Sequence, residues 1–242
     1  MLRAVDRALG IVLLQSSAAT TTTGFAIVFT PESERRVASL QTRVMDILGH
    51  HGLSLSPQFC ETARVHVTLV QQVGDAADGR AIARAAAAVL GGDATAEIES
   101  IHLQAPNWLF LNVRLGECIK AAHVACADRC VGHMVGTDRK NQADTPQEAE
   151  MRARYGYRYM FDAYTIPHVT LGVLSDAGTF AARRGDIMRE LEGAVCEVFG
   201  DRRTLEVAGV THYAMSQDGK GSHARTLHFE PVTAGPGRAG TR

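Results

Sequence analysis

The tetrapeptide His-Val-Thr-Leu occurs twice in this 242-residue chain, as His66–Leu69 in the first half and His168–Leu171 in the second. Both copies lie in short apolar runs, Arg64-Val65-His66-Val67-Thr68-Leu69-Val70 and Pro167-His168-Val169-Thr170-Leu171-Gly172-Val173. Successive side chains of a β-strand point to opposite faces. His66 and Thr68 therefore share one face, with Val67 and Leu69 behind them, and His168 and Thr170 repeat the pattern. A single His-x-Thr occurs by chance, whereas the same four residues twice, in matching contexts, suggest duplicated architecture. The plainer alternative is two half-buried strands whose polar faces simply find hydrogen-bond partners.

The rest of the chain supports a duplicated plan. Gly24–Thr30 reads as a strand, and Thr30-Pro31 opens a helix with Thr as N-cap and Pro at its first position. The spacing predicts a strand over Thr62–Val70, an Ala-rich helix from Asp78-Gly79, and strands over Thr95–Gln104 and Trp108–Leu115. It predicts a helix over Glu117–Val135 and a capped helix from Thr145-Pro146-Gln147-Glu148 to about Tyr155. A strand over Ala163–Val173, a helix capped by Ser175 or Asp176, and strands Arg203–Ser216 and His223–Phe229 complete it. Two strand pairs have hairpin-length links and must be antiparallel. Each half thus contains an HVTL strand, a helix and a hairpin, which predicts an α+β fold of two similar lobes.

Composition narrows the class. With 45% hydrophobic residues the chain is globular, and its net charge of −1 argues against coating nucleic acid or binding through a polybasic arm. Five cysteines without a CxxC do not form a disulfide framework, which points to a reducing compartment, the cytoplasm. No apolar run approaches the ~20 residues of a membrane span. Residues 1–23 read as a leader, with Arg3 and Arg7 before Ala8–Leu14. They read as a disordered leader, a packed N-terminal helix or a targeting segment, the last of which would make the location mitochondrial or another organelle. Residues 24–231 read as one bilobal domain, and 232–242 as a disordered tail.

Paired imidazoles suit phosphodiester chemistry. One takes the proton of the attacking hydroxyl and the other protonates the leaving oxygen. The two Thr hydroxyls can hold non-bridging oxygens and oppose the charge that builds on them. This scheme needs no metal, and the sequence has no HExxH, Walker loop or carboxylate cluster.

These residues resemble the 2H phosphoesterase superfamily, defined by two His-x-Thr/Ser motifs and including 2′-5′ RNA ligase-like proteins and cyclic phosphodiesterases. The resemblance runs from about Gly24 to Phe229. It rests on GFAIVFT with the Pro-started helix, on His66–Leu69 followed by Gly74-Asp75, on Ile166-Pro167-His168-Val169-Thr170-Leu171, and on Tyr213-Ala214-Met215-Ser216 before a Gly-rich turn. Ligase-like members often carry a basic residue after that late Ser, where this chain has Gln217. The resemblance implies two pseudo-symmetric antiparallel sheets with outer helices and a central cleft. It implies a cofactor-free monomer with His66 and His168 as acid/base pair and Thr68 and Thr170 as phosphate holders. It further implies action on 2′,3′-cyclic phosphates or 2′-5′ linkages of RNA ends or small nucleotides. The alternative is a nucleotide- or RNA-binding module on the same fold without turnover.

Other candidates are weaker. Tyr213, Tyr157 and Arg158 are candidate substrate contacts, the latter two within a segment where Arg152, Arg154 and Arg158 interleave with Tyr155, Tyr157 and Tyr159. Trp108 reads as core. His123, Cys126, Cys130 and His133 fall on one side of a helix, yet the outer two stand roughly 15 Å apart along it, too far for one zinc ion. A core face with small cysteines is the better reading. Of His212, His223 and His228, nothing in the sequence selects one for the cleft.

Overall fold

The structure, a computed structural model, describes residues 22–57, 64–74, 77–104, 107–135, 145–156, 160, 166–215 and 223–232. The apolar run after Thr22 forms β1 (Thr22–Phe29), buried nearly throughout. Helix α1 (Pro31–His50) follows, and its cap is the expected one, with Thr30 Oγ1 accepting from the Ser33 N–H and Pro31 starting the helix. Val37, Leu40, Val44 and Leu48 form its buried stripe. Strands β2 (Leu55–Pro57) and β3 (His66–Gly74), helix α2 (Gly79–Ala87), the hairpin β4 (Thr95–Gln104) and β5 (Trp108–Leu115), and α3 (Glu117–Cys130) come next. The second half contains α4 (Pro146–Tyr155), β6 (His168–Leu174), α5 (Ala177–Ala182), α6 (Arg184–Phe199), β7 (Thr204–Met215) and β8 (His223–Pro231).

Several boundaries differ from the sequence expectation for local reasons. Helix α3 stops at Cys130 rather than Val135, because Val131 turns extended and Gly132 takes a left-handed φ of 80°. The chain then bridges to β3 through Met134 and Val73. The helix after Asp176 is two helices that break at Arg183. The second HVTL strand starts at His168; Ala163–Thr165 lie outside the described residues. Strand β2 has no counterpart in the sequence reading. It pairs with β6 across Gly172, where a Cβ would fall 2.5 Å from the Ser56 carbonyl oxygen. The capping box at Thr145 and Glu148 is present as expected.

All strand pairs are antiparallel, in the order β2-β6-β5-β4-β7-β1-β3 with β8 on the free side of β7. Two four-stranded sheets meet at a seam of three pairs, Thr95–Glu97 of β4 against Thr204–Glu206 of β7. Helices α2 and α3 contact the sheet holding β3, β7 and β8, α6 contacts β4 of the other sheet, and α1, packed on α6, touches β1 and β7 of the first sheet and β2 of the second. The halves of the chain do not each make one sheet. The first half's hairpin, β4–β5, joins the second half's HVTL strand β6. The second half's hairpin, β7–β8, joins the first half's β1 and thereby β3. This exchange interlocks the lobes around a hydrophobic core that spans both. No helix among the described residues is long and apolar enough to cross a membrane.

Candidate active site

The alternation read from the two motifs is the one observed. In β3, His66 and Thr68 are half-buried while Val67 and Leu69 are buried; in β6, His168 and Thr170 are half-buried while Val169 and Leu171 are buried. Their apolar backs anchor both strands in the core. Beyond Thr68, β3 bulges twice against β1, and Gln72 adopts a φ of 65°, costly for a residue with a Cβ.

The two histidines are held alike. His66 Nδ1–H donates to the Arg64 carbonyl at 2.8 Å, and His168 Nδ1–H donates to the Ile166 carbonyl at 3.1 Å. Each bond runs to the residue two positions earlier. A carbonyl can only accept, so each neutral ring carries its proton on Nδ1 and presents Nε2 as the base. Strands β3 and β6 touch, and a charge on His168 is felt at His66. Burial pushes the His66 imidazole below its ordinary value; the bond to Arg64 partly opposes this, and the nearby His168 lowers it again. Burial likewise lowers His168, with its bond to Ile166 opposing. Both rings are therefore neutral near pH 7, and two like charges are disfavoured.

The surroundings of the two rings differ. The Phe110 ring stacks on His168 with centroids 4.0 Å apart, offering a π face to the imidazolium form. His66 has Tyr213 beside it at 5.9 Å, tilted by 44°. Tyr213 is 1% exposed, shares a hydrogen bond with Thr68, and is pushed up to about 12 by burial, so it stays protonated. With Ala26 and Met215 it makes a small closed cluster on the His66 side. Arg64, whose carbonyl orients His66, is itself clamped. Its Nε pairs with Glu34 at 2.8 Å, its guanidinium donates to the Phe29 carbonyl at 2.8 Å, and it lies over the Phe229 ring at 5.4 Å.

Other sequence candidates fall elsewhere. Trp108 is not core. It is half-buried and stacks on Phe110 at 6.3 Å, on the face of β5 that bears the His168 site. The expectation failed because alternation along β5 makes Leu109 and Leu111 the core-facing residues. His212 stacks on Phe25 and abuts Gly79 of α2, on the helix-covered face, and His228 lies opposite it paired with Glu230 at 3.0 Å. Tyr155 is buried, while Tyr157, Arg158 and Tyr159 lie outside the described residues. His123, Cys126 and Cys130 face the core and His133 is exposed beyond the helix, and among the described residues no cluster of three metal-binding side chains occurs. Two surface hollows of about 600 and 630 Å³, one beside Arg202 and Arg203 and one beside Arg35 and Arg36, contain neither motif. Sequence reasoning missed Phe110, Asn112 and the Arg64 clamp. Their roles depend on which strands become neighbours, which alternation alone does not reveal.

Comparison with solved structures gives similarity across most of the chain. A structure described as a phosphoesterase matches at 14% identity and a TM-score of 0.46, over 88% of this chain and 99% of the other. Escherichia coli LigT without ligand matches at 14% identity and 0.46, over 88% and 95%. Kluyveromyces marxianus Usb1 with uridine monophosphate matches at 12% identity and 0.45, over 86% and 97%. No family model and no curated protein sequence matches the chain.

Proposed function

We propose that the chain is a 2H phosphoesterase that opens 2′,3′-cyclic phosphates or cleaves 2′-5′ phosphodiester bonds in RNA ends or nucleotides. The observation that carries this reading is the matched pair of imidazoles, each tied through Nδ1–H to a backbone carbonyl two residues earlier and close enough for one charge to act on the other. In the reaction one Nε2 removes a proton from the attacking oxygen while the other imidazole, protonated, gives its proton to the leaving oxygen. Both rings are neutral in the free protein, so the acid is charged on the acidic side of neutrality or when an anionic phosphate enters and favours the imidazolium. Thr68 and Thr170 stand on the same faces and donate to the non-bridging oxygens. Both motifs come from one chain, so we take the active unit to be a monomer. We place it in a reducing compartment such as the cytoplasm, supported by free thiols at Cys118, Cys126, Cys130 and Cys196.

The test is hydrolysis of 2′,3′-cyclic nucleotides and 2′-5′ oligoadenylate by the full chain, in buffer with EDTA, with the product position determined. His66→Ala and His168→Ala should each lower kcat by about 10²–10⁴-fold while circular dichroism stays native. Full activity in His168→Ala rejects the mechanism. Tight nucleotide binding without product on any substrate favours the binding-module reading.

A further inference from the structure

The two walls of the site are unequal. On the His66 side, Ala26, Tyr213 and Met215 are closed against one another, and Tyr213 is 1% exposed with its hydroxyl occupied by Thr68. Among the described residues, no open aromatic face is offered there. On the His168 side an aromatic row runs outward from the imidazole, with Phe110 on His168 at 4.0 Å and Trp108 on Phe110 at 6.3 Å. Phe110 is buried by this arrangement, whereas Trp108 at the outer end keeps part of its surface in solvent. The neighbouring strand β4 places Ser100, His102 and Gln104 directly across from Asn112, Phe110 and Trp108. His102 and Gln104 are exposed, and Asn112, directly across from His168, donates through Nδ2 to Ser100 Oγ at 3.4 Å. A half-buried indole beside polar side chains, on the face that bears an acid/base histidine, matches what a planar, hydrogen-bonding ligand requires.

We infer that Trp108 stacks the nucleobase of the substrate, which lies over the β4–β5 hairpin on the His168 side with its edge toward His102 and Gln104. This inference rests on the proposed phosphoesterase site and deepens it. The substrate class becomes base-bearing nucleotides and oligonucleotide ends rather than bare sugar phosphates. Tyr213 is a wall of the site and not a stacking platform.

Trp108 is the only tryptophan in the chain, so its emission reports on this face alone. The full-length protein is titrated with adenosine 3′-monophosphate, ribose 5-phosphate and inorganic phosphate, with excitation at a wavelength the base does not absorb. Saturable quenching by the nucleotide, but not by ribose 5-phosphate or phosphate, supports the inference. Equal response to all three overturns it. In turnover of a 2′,3′-cyclic nucleotide, Trp108→Ala should lower kcat/KM by about ten- to hundred-fold through KM, and Trp108→Phe should recover most of it. Unchanged KM in Trp108→Ala overturns the inference while leaving the phosphoesterase reading intact. Quenching by the nucleotide without any turnover supports base stacking while sinking the catalytic reading.

Discussion

Gly24 links the stability of this fold to the chemistry of its first motif. A Cβ added at this position would lie 2.6 Å from both Cζ and the hydroxyl oxygen of Tyr213, and 3.1 Å from Cε1. Relaxed contacts need roughly 3.5–4.0 Å, so the ring must retreat by about 1 Å. It has no open side, because Tyr213 is 1% exposed and packs against Ala26 and Met215. Overpacking of this kind costs about 1–3 kcal/mol. Displacing the ring also strains the bond to Thr68, worth about 1 kcal/mol. The lower chain entropy of Ala returns about 0.5–1 kcal/mol. Gly24→Ala should therefore destabilise the protein by about 1–3.5 kcal/mol, a fall in Tm of roughly 2–14 °C for a domain of this size. The check is thermal unfolding followed by circular dichroism, paired with activity measured well below Tm. Because the displaced ring touches Thr68 and sits beside His66, kcat should fall about tenfold in molecules that remain folded. A Tm within about 1 °C of the parent (a margin set below the smallest expected shift) together with unchanged kcat would show that Tyr213 does not lie across Gly24, and would remove its link to the motif.

Two further outcomes follow from the site. Arg64→Met deletes a partly buried pair with Glu34 and a charged hydrogen bond to the Phe29 carbonyl, and should cost about 2 kcal/mol by urea unfolding. Its carbonyl also orients His66, so kcat should drop several-fold with little change in KM; an unaltered kcat would show that the clamp does not position the imidazole. The second concerns pH. His66 and His168 are held below the ordinary imidazole value when folded, so below about pH 6.5 the unfolded chain binds protons that the folded chain refuses. Stability is fully present above that pH and is lost as pH falls through the window beneath it. The double variant His66→Gln, His168→Gln should flatten the decline between about pH 7 and 5, leaving the part due to His212, which burial also lowers. An unchanged slope would mean that the pair is not desolvated.

Much of this site was legible before the fold was known. Alternation depends only on backbone geometry, so two HVTL runs sufficed to put His66 with Thr68, and His168 with Thr170, on common faces. Caps at Thr30, Thr145 and Asp176 were readable because the side chain and the orphan amide it satisfies lie within three residues. Register and partner choice were not readable, since they are decided by packing across the whole chain. Trp108 shows the difference. Its run WLFLNVRL announces a strand, but only the pairing of β5 with β6 puts its indole in line with His168. Tyr213 shows the converse, a Tyr at a motif-like position that the fold closes off beneath Met215 and Ala26.

By itself the sequence determined the two motifs, their faces and the antiparallel hairpins, because each follows from interactions over a few neighbouring residues. Only the tertiary structure decided that the hairpins exchange between lobes, that the two imidazoles come within reach of one another's charge, and that one wall is closed while the other leaves an indole partly open to solvent. Those facts depend on contacts between residues far apart in the chain, where local propensity carries no information.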